Sequence, residues 1–236
     1  MRPSNRKLDQ IRNVEIIPNI NIHAEGSCLI KFGNTHVICT ASVEEKVPPF
    51  MRNKGLGWVT AEYNMLARST HSRMRKDPMK PNGRAMEIQR LIGRSLRACI
   101  NDKLLGERQI IIDCDVIQAD GGTRCASITG GYVALAMAVE KLLKERKIYQ
   151  NPITSQICAV SCGVYKDKVV ADLDYIEDSG CSVDTNFVIN DNFDLIEIQG
   201  TAEDKSMSFD QVTQMYTLAK KAAEELFEIQ NSVVKS

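Results

Sequence analysis

A chain of 236 residues, 43% hydrophobic and 25% charged, has the composition of an ordinary globular protein with room for one large domain or two small ones. No apolar run is expected to cross a membrane, and the polar start from Met1 to Lys7 leads into no signal-peptide core. The expected location is therefore the cytoplasm.

Taken in order, Gly26 to Phe32 and Thr35 to Val43 read as a hairpin around Gly33-Asn34, a two-residue turn signal. Gly57 to Tyr63 reads as a further strand. Asn64 to Gly83 shows no periodicity, is basic and contains Pro78 and Pro81, which marks a loop that is functional or disordered and the first candidate for RNA, DNA or subunit contact. A helix opens at Gly83-Arg84 and runs to about Ile100, with Ile88, Leu91, Ile92, Leu96, Cys99 and Ile100 as its apolar stripe. Arg90, Arg94 and Arg97 fall on another face, expected to be solvated or subunit-facing.

Gln109 to Gln118 is a strand, and a helix rich in small residues runs from Cys125 to Lys144. Ile157 to Tyr165 and Lys168 to Leu173 pair across Lys166-Asp167, and Phe187 to Asn190 pairs with Leu195 to Gln199. Ser208 opens a final helix with a capping box to Gln211, ending near Asn231. Hairpins mixed with later helices predict an α+β fold with mixed or antiparallel sheets, not a doubly wound parallel sheet.

The 30 basic and 30 acidic residues cancel overall but not locally. From Arg68 to Arg97 only Asp77 and Glu87 oppose a run of arginines and lysines, and from Asp172 to Glu203 there is no lysine or arginine. Such an asymmetry suits a polyanion held by the first segment and a metal by the second, or two solvated faces. The eight cysteines form no C-x-x-C pair and lie mostly in apolar runs, so they are expected to be buried and reduced. His23, His36 and His71 are scattered, which argues against a histidine-built metal site.

The chain is organised around Asp120-Gly121-Gly122-Thr123-Arg124, a double-glycine turn between a strand and a helix. The first N–H groups of a helix have no intrahelical partner, and the helix dipole places partial positive charge there. Glycines let backbone approach an oxyanion, Thr123 adds a hydroxyl, and Arg124 adds a forked charged donor suited to phosphate. No G-x-x-x-x-G-K-[ST] is present, so a P-loop nucleotide hydrolase is excluded. The same residues also fit a plain tight turn with an exposed arginine. Arg84, at the first turn of its own helix, is a second candidate anion ligand. Asp178 and Asp184 flank small residues that let two carboxylates converge, as a Mg²⁺ site completed by substrate phosphates requires. Spacing alone favours surface acids.

Longer stretches are more specific. G-R-A-M-E-I-Q-R-L-I-G-R-S-L-R-A (Gly83 to Ala98), D-C-D-V-I-Q-A-D-G-G-T-R (Asp113 to Arg124) and L-D-Y-x-E-D-S-x-x-x-x-D-x-N (Leu173 to Asn186) resemble the ribonuclease PH family. M-R-P-S-x-R at the start, H-A-E-G-S from His23, G-W-V-T-A-E-Y from Gly57 and I-E-I-Q-G-T-A-E from Ile196 extend the resemblance in order over nearly the whole chain.

The resemblance implies a ribonuclease PH-type fold, with mixed sheets packed by helices, in one catalytic domain over residues 1–236. It implies a phosphate-dependent 3′-to-5′ exoribonuclease that trims tRNA precursors and releases nucleoside diphosphates reversibly. It implies inorganic phosphate as co-substrate and Mg²⁺ as cofactor. Residue by residue, Arg84, Gly122, Thr123 and Arg124 match the phosphate site, and Asp178 and Asp184 the catalytic or metal-coordinating pair. Arg68, Arg73 and Arg75 match the region of RNA approach and subunit contact. It implies a homo-oligomer, a hexameric ring of three dimers. Cys125, beside Arg124, is expected to be a packed bystander. The alternative is a non-catalytic RNA-binding ring subunit, against which the retained arginines and aspartates argue.

Overall fold

Two sheets form, each seeded by a hairpin that the turn residues specify. The computed structural model describes residues 2–75, 83–203 and 206–234. The first sheet contains β1 (Val14–Pro18), β2 (Gly26–Phe32), β3 (Thr35–Glu44), β4 (Trp58–Met65) and β5 (Gln109–Gln118), in the order β1-β2-β3-β5-β4. Every pairing in it is antiparallel except β4 with β5. The second contains β6 (Ile157–Tyr165), β7 (Lys168–Ala171), β8 (Val183–Asn190) and β9 (Leu195–Ala202), antiparallel throughout in the order β7-β6-β8-β9. Lys166 and Asp167 both adopt positive φ, 49° and 60°, which a two-residue hairpin turn of the I′ kind requires.

The helices are α1 (Gly83–Arg97), α2 (Asp102–Leu105), α3 (Thr123–Lys144), α4 (Tyr175–Gly180) and α5 (Phe209–Val234). The small residues of α3 let it pack on β2, β3 and β5 of the first sheet and on β6 of the second. A Cβ at Gly130 would stand 2.7 Å from Ile30 Cγ2 and 2.9 Å from Cys39 Sγ, so the helix could not approach the sheet as closely with any larger residue. By length and composition alone, one helix could cross a membrane. Helix α3, 22 residues long with mean hydropathy 1.2, is long and apolar enough by length and composition. Because 78% of its most apolar 18-residue stretch is buried inside this protein, it is the central core helix.

A contiguous apolar core runs through both sheets, and α1, α3 and α5 all contribute to it. A small second cluster, Tyr165, Val170, Leu173 and Cys181, lies next to α4. All eight cysteines are free and buried, as their apolar settings indicate. The capping box of α5 is present, with Gln211 N donating to Ser208 Oγ (3.2 Å) and Ser208 N to Gln211 Oε1 (2.9 Å).

Two local expectations are corrected. The arginine face of α1 is not simply solvated: Arg94 pairs with Glu197 of β9. Arg97 lies 4.3 Å over the Trp58 ring and donates to the Val59 carbonyl at 2.9 Å. Asp184 is the second residue of β8 instead of preceding a strand, because β8 begins earlier than Phe187. Strand β1 and the short helices α2 and α4 carry too little periodic pattern to stand out. Helix α4 is nevertheless fixed by a capping box between Asp174 and Glu177.

Candidate active site

Strand β5 leads through Ala119 and Asp120 into two glycines with left-handed backbone, Gly121 at φ 75° and Gly122 at φ 66°. Gly122 caps α3 without any side-chain hydrogen bond, so the first N–H groups of the helix are not satisfied by a capping side chain. A Cβ at Gly121 would stand 2.7 Å from the Asp174 carbonyl carbon and 2.8 Å from Tyr175 N. The glycine therefore does two things. It turns the chain into α3, and it lets the start of α4 pack against the turn.

That packing brings the predicted residues together. Arg84 from α1, Gly122, Thr123 and Arg124 from the turn, Asp178 from α4 and Asp184 from β8 all line one cavity of about 350 Å³. Residues 94 positions apart in the chain, Arg84 and Asp178, share it through the crossing of α3 between the sheets.

The electrostatics inside the cavity are mixed. Asp178 keeps contact with solvent, yet the protein around it desolvates its carboxyl and raises its pKa, and Asp184 raises it further. Arg84, Arg124 and Arg12 act in the opposite sense. A carboxyl held up by burial and by a like charge, with cations opposing, is characteristic of functional clefts. Arg124 Nη1 donates to Gln199 Oε1 at 2.9 Å and lies 3.6 Å from Glu87, so its guanidinium is aimed by β9 and α1. Thr123 Oγ1 and Tyr63 OH are hydrogen-bonded at 2.9 Å, which ties the turn to β4. Burial pushes the Cys125 thiol up to about 12 despite Arg124 beside it, and its Sγ donates to Asn186 Oδ1 at 3.1 Å. It is a packed thiol, not a nucleophile.

A second group of residues was not singled out from the sequence. Arg12 donates to Asp172 from Nη2 (2.7 Å) and Nε (2.9 Å), and from Nη1 to the Asp120 carbonyl (2.6 Å). Arg2 forms a two-pronged pair with Glu177, at 2.6 and 2.7 Å, and Arg6 reaches Asp172, Asp174 and Glu177. Three of the acids in the acidic segment are thus matched by arginines at the chain's start. These pairs hold the turn and α4. The signal lay in M-R-P-S-x-R and in the uncompensated acids.

Arg68, Arg73 and Arg75 are exposed and do not line the cavity. Arg68 donates to the carbonyls of Thr70 (2.8 Å) and His71, shaping its own loop. Their neighbours Thr70, His71, Ser72 and Met74 do line it, so the loop edges the cavity. The remainder of that loop, including Lys76, Asp77, Pro78, Lys80 and Pro81, lies outside the described residues.

Among the described residues no group of three His, Cys, Asp or Glu side chains is placed to hold a metal. Asp178 and Asp184 supply two carboxylates to one cavity, where burial first and Asp184 second raise the pKa of Asp178. Such a pair suits a hard divalent cation that takes its other ligands from substrate phosphates and water.

The 3′ exoribonuclease family model matches in two parts, domain 1 over residues 10–139 and domain 2 over residues 155–222. A protein of Cereibacter sphaeroides named ribonuclease PH is 57% identical over 236 residues, covering 99% of this chain and 100% of the relative. Another of that name from Roseobacter denitrificans is 54% identical, covering 98% and 99%. In fold, the chain is similar to rice Rrp46 (TM-score 0.81, 16% identity, 99% of this chain and 100% of that one). It is equally similar to a chain of the Archaeoglobus fulgidus exosome with RNA bound to the active site (TM-score 0.81, 19% identity, 96% and 91%). The α+β architecture, the full-length identity and the match to both parts of the family model lead to one conclusion: the chain belongs to the ribonuclease PH family of phosphorolytic 3′-to-5′ exoribonucleases.

Proposed function

We propose that the cavity at the β5–α3 turn is where inorganic phosphate attacks the last phosphodiester of an RNA chain. The observation that carries this is the meeting of Arg84, Arg124 and the uncapped start of α3 with Asp178 and Asp184 in one cleft. Phosphate is a weak, multiply charged nucleophile that must approach an anionic phosphodiester. The arginines and helix N–H groups neutralise it and hold it in line. A phosphate oxygen forms a bond to the terminal phosphorus, the bond from that phosphorus to the 3′ oxygen of the preceding nucleotide breaks, and that oxygen takes up a proton. The products are a nucleoside diphosphate and an RNA one residue shorter. A phosphodiester is exchanged for a phosphoanhydride, so excess nucleoside diphosphate extends RNA.

Asp178 and Asp184 are assigned jointly. They would hold Mg²⁺, which supplies charge compensation to the scissile phosphate when bound. The raised carboxyl of Asp178 has the direction required of a group that donates a proton to the departing 3′ oxygen. Residues 1–236 act as one catalytic domain in this reading. Its support is that the cavity takes Arg84 and Arg124 from the first part and Asp178 and Asp184 from the second, over a shared core.

The natural substrates are tRNA precursors with 3′ extensions, met in the cytoplasm by a hexameric ring of three dimers. Arg68, Arg73 and Arg75 belong to the approach of RNA and to contacts between copies, as the basic, exposed loop at the cavity's edge supports. The test is product identity. A 3′-labelled RNA with Mg²⁺ should release nucleoside diphosphate only when phosphate is added. Monophosphate release without phosphate would mean a hydrolase. Sedimentation at micromolar concentration should show a hexamer, and a monomer alone would contradict the ring.

A further inference from the structure

The cavity has a wall that the phosphate chemistry leaves unused. It is lined by Met65, Thr70, His71, Ser72, Met74 and Tyr175. These come from the end of β4, the loop after it and the first residue of α4. The rings of His71 and Tyr175 stand 5.8 Å apart, inclined at 57°. Tyr175 is 50% exposed, although it is a large aromatic residue that burial would favour.

Its position relative to the reacting groups is fixed. Tyr175 and Asp178 are three positions apart on α4, so they share a face of the helix with Cβ atoms about 5–6 Å apart. That is a spacing of the order needed to span one ribose, from the phosphorus of a nucleotide to its base. The close approach at Gly121, whose Cβ would meet Tyr175 N, locks this part of α4 to the anion-binding turn. The glycines that shape the phosphate site thus also set where the tyrosine ring stands.

Exposed aromatic faces in a cleft for single-stranded RNA stack bases, and they do so with little regard to which base it is. Thioethers add adaptable apolar contact. We propose that His71 and Tyr175, with Met65 and Met74 completing the apolar lining, seat the base of the 3′-terminal nucleotide. Stacking there brings the last phosphorus to Arg84, Arg124 and the aspartate pair. The seat accepts purines and pyrimidines alike, because its contacts are made by ring faces and sulfur. This inference rests on the phosphorolytic reading above.

The experiment compares two RNAs that differ only in the last nucleotide, one ending in adenosine and one in an abasic ribose, with saturating phosphate. The full-length protein should cleave the adenosine end with a kcat/KM about tenfold or more higher, the effect of one base–aromatic stack. Tyr175→Ala and His71→Ala should lose rate on the adenosine end but little on the abasic end, so the preference falls toward unity. Tyr175→Phe, which keeps the ring, should restore it. A wild-type protein indifferent to the missing base overturns the inference. So does a Tyr175→Ala variant equally slow on both RNAs, which marks a structural role. Absence of any diphosphate product, adenosine diphosphate from one RNA and ribose 5-diphosphate from the other, is a different result, and it removes the phosphorolytic reading along with the seat.

Discussion

Arg12 and Asp172 form a buried, two-pronged ion pair, with Nη2 2.7 Å from Oδ1 and Nε 2.9 Å from Oδ2. The backbone N–H of Arg12 also donates to Asp172 Oδ2 at 2.7 Å, and Arg6 adds a further contact at 3.0 Å. The same guanidinium holds the Asp120 carbonyl, so the pair joins the chain's start, the glycine turn and the segment entering α4.

Removing one charge from a buried pair leaves the other uncompensated. Asp172→Asn should therefore cost about 3–5 kcal/mol of stability. Asp172 has a positive φ of 53°, which asparagine tolerates, so the substitution isolates the charge from the backbone. Urea unfolding measures the loss. A change within about 0.5 kcal/mol, the size of an ordinary surface substitution, would show that the pair is not an anchor.

The same pair predicts a pH dependence. Asp172 is desolvated by burial, but Arg12 and Arg6 more than offset this and hold its carboxyl below the ordinary 3.8. In the window below 3.8 the unfolded chain binds the proton first, so stability rises with pH there. The contribution is complete above that value and is lost as pH falls through the lower folded pKa. Unfolding midpoints measured between pH 3 and pH 6 should fall at the acid end in the wild type, and less steeply in Asp172→Asn. Equal slopes in the two proteins would refute the assignment.

Gly121→Ala combines an unfavourable backbone with a collision. At φ 75° alanine is strained, and its Cβ would lie 2.7 Å from the Asp174 backbone. The variant should lose more than about 1 kcal/mol of stability and most of its turnover, because α4 must move away from the turn. Thermal melting together with a phosphorolysis rate checks both. Full activity in a stable variant would show that the α4 contact is dispensable.

Asp178→Asn and Asp184→Asn should separate activity from folding. Neither carboxylate is paired in the way Asp172 is, and both face the cavity. Each variant should keep its melting temperature within a few degrees while turnover falls on the order of 10²-fold or more. A large drop in melting temperature would make these acids structural instead.

Much of this fold could be read from particular residues. Gly33-Asn34 marked its hairpin because glycine accepts the positive φ of the turn, whereas Lys166-Asp167 was legible from the β-rich runs on either side. The small residues of α3 announced close packing against a sheet, and the double glycine announced the helix start. What the sequence concealed depended on long-range partners. Asp172, Asp174 and Glu177 read only as part of an acidic segment, suited to a metal or to a solvated face, because their partners Arg2, Arg6 and Arg12 lie 160 to 175 residues away. Arg94 and Arg97 read as a solvated stripe because Glu197 and Trp58 are not local. Helix α4 is too short for periodicity, yet it carries both Tyr175 and Asp178 into the cavity. Periodicity finds elements, whereas charge partners and close approaches require the packed chain.

The most direct test of the phosphate site is a phosphate titration of RNA shortening for the wild type, Arg84→Ala and Arg124→Ala. In the proposed reading each guanidinium makes charge-assisted contacts to the attacking anion, so the phosphate KM should rise at least about tenfold in each variant, or turnover should vanish, with the fold intact. An unchanged phosphate KM in both variants would contradict the placement of the nucleophile at the β5–α3 turn.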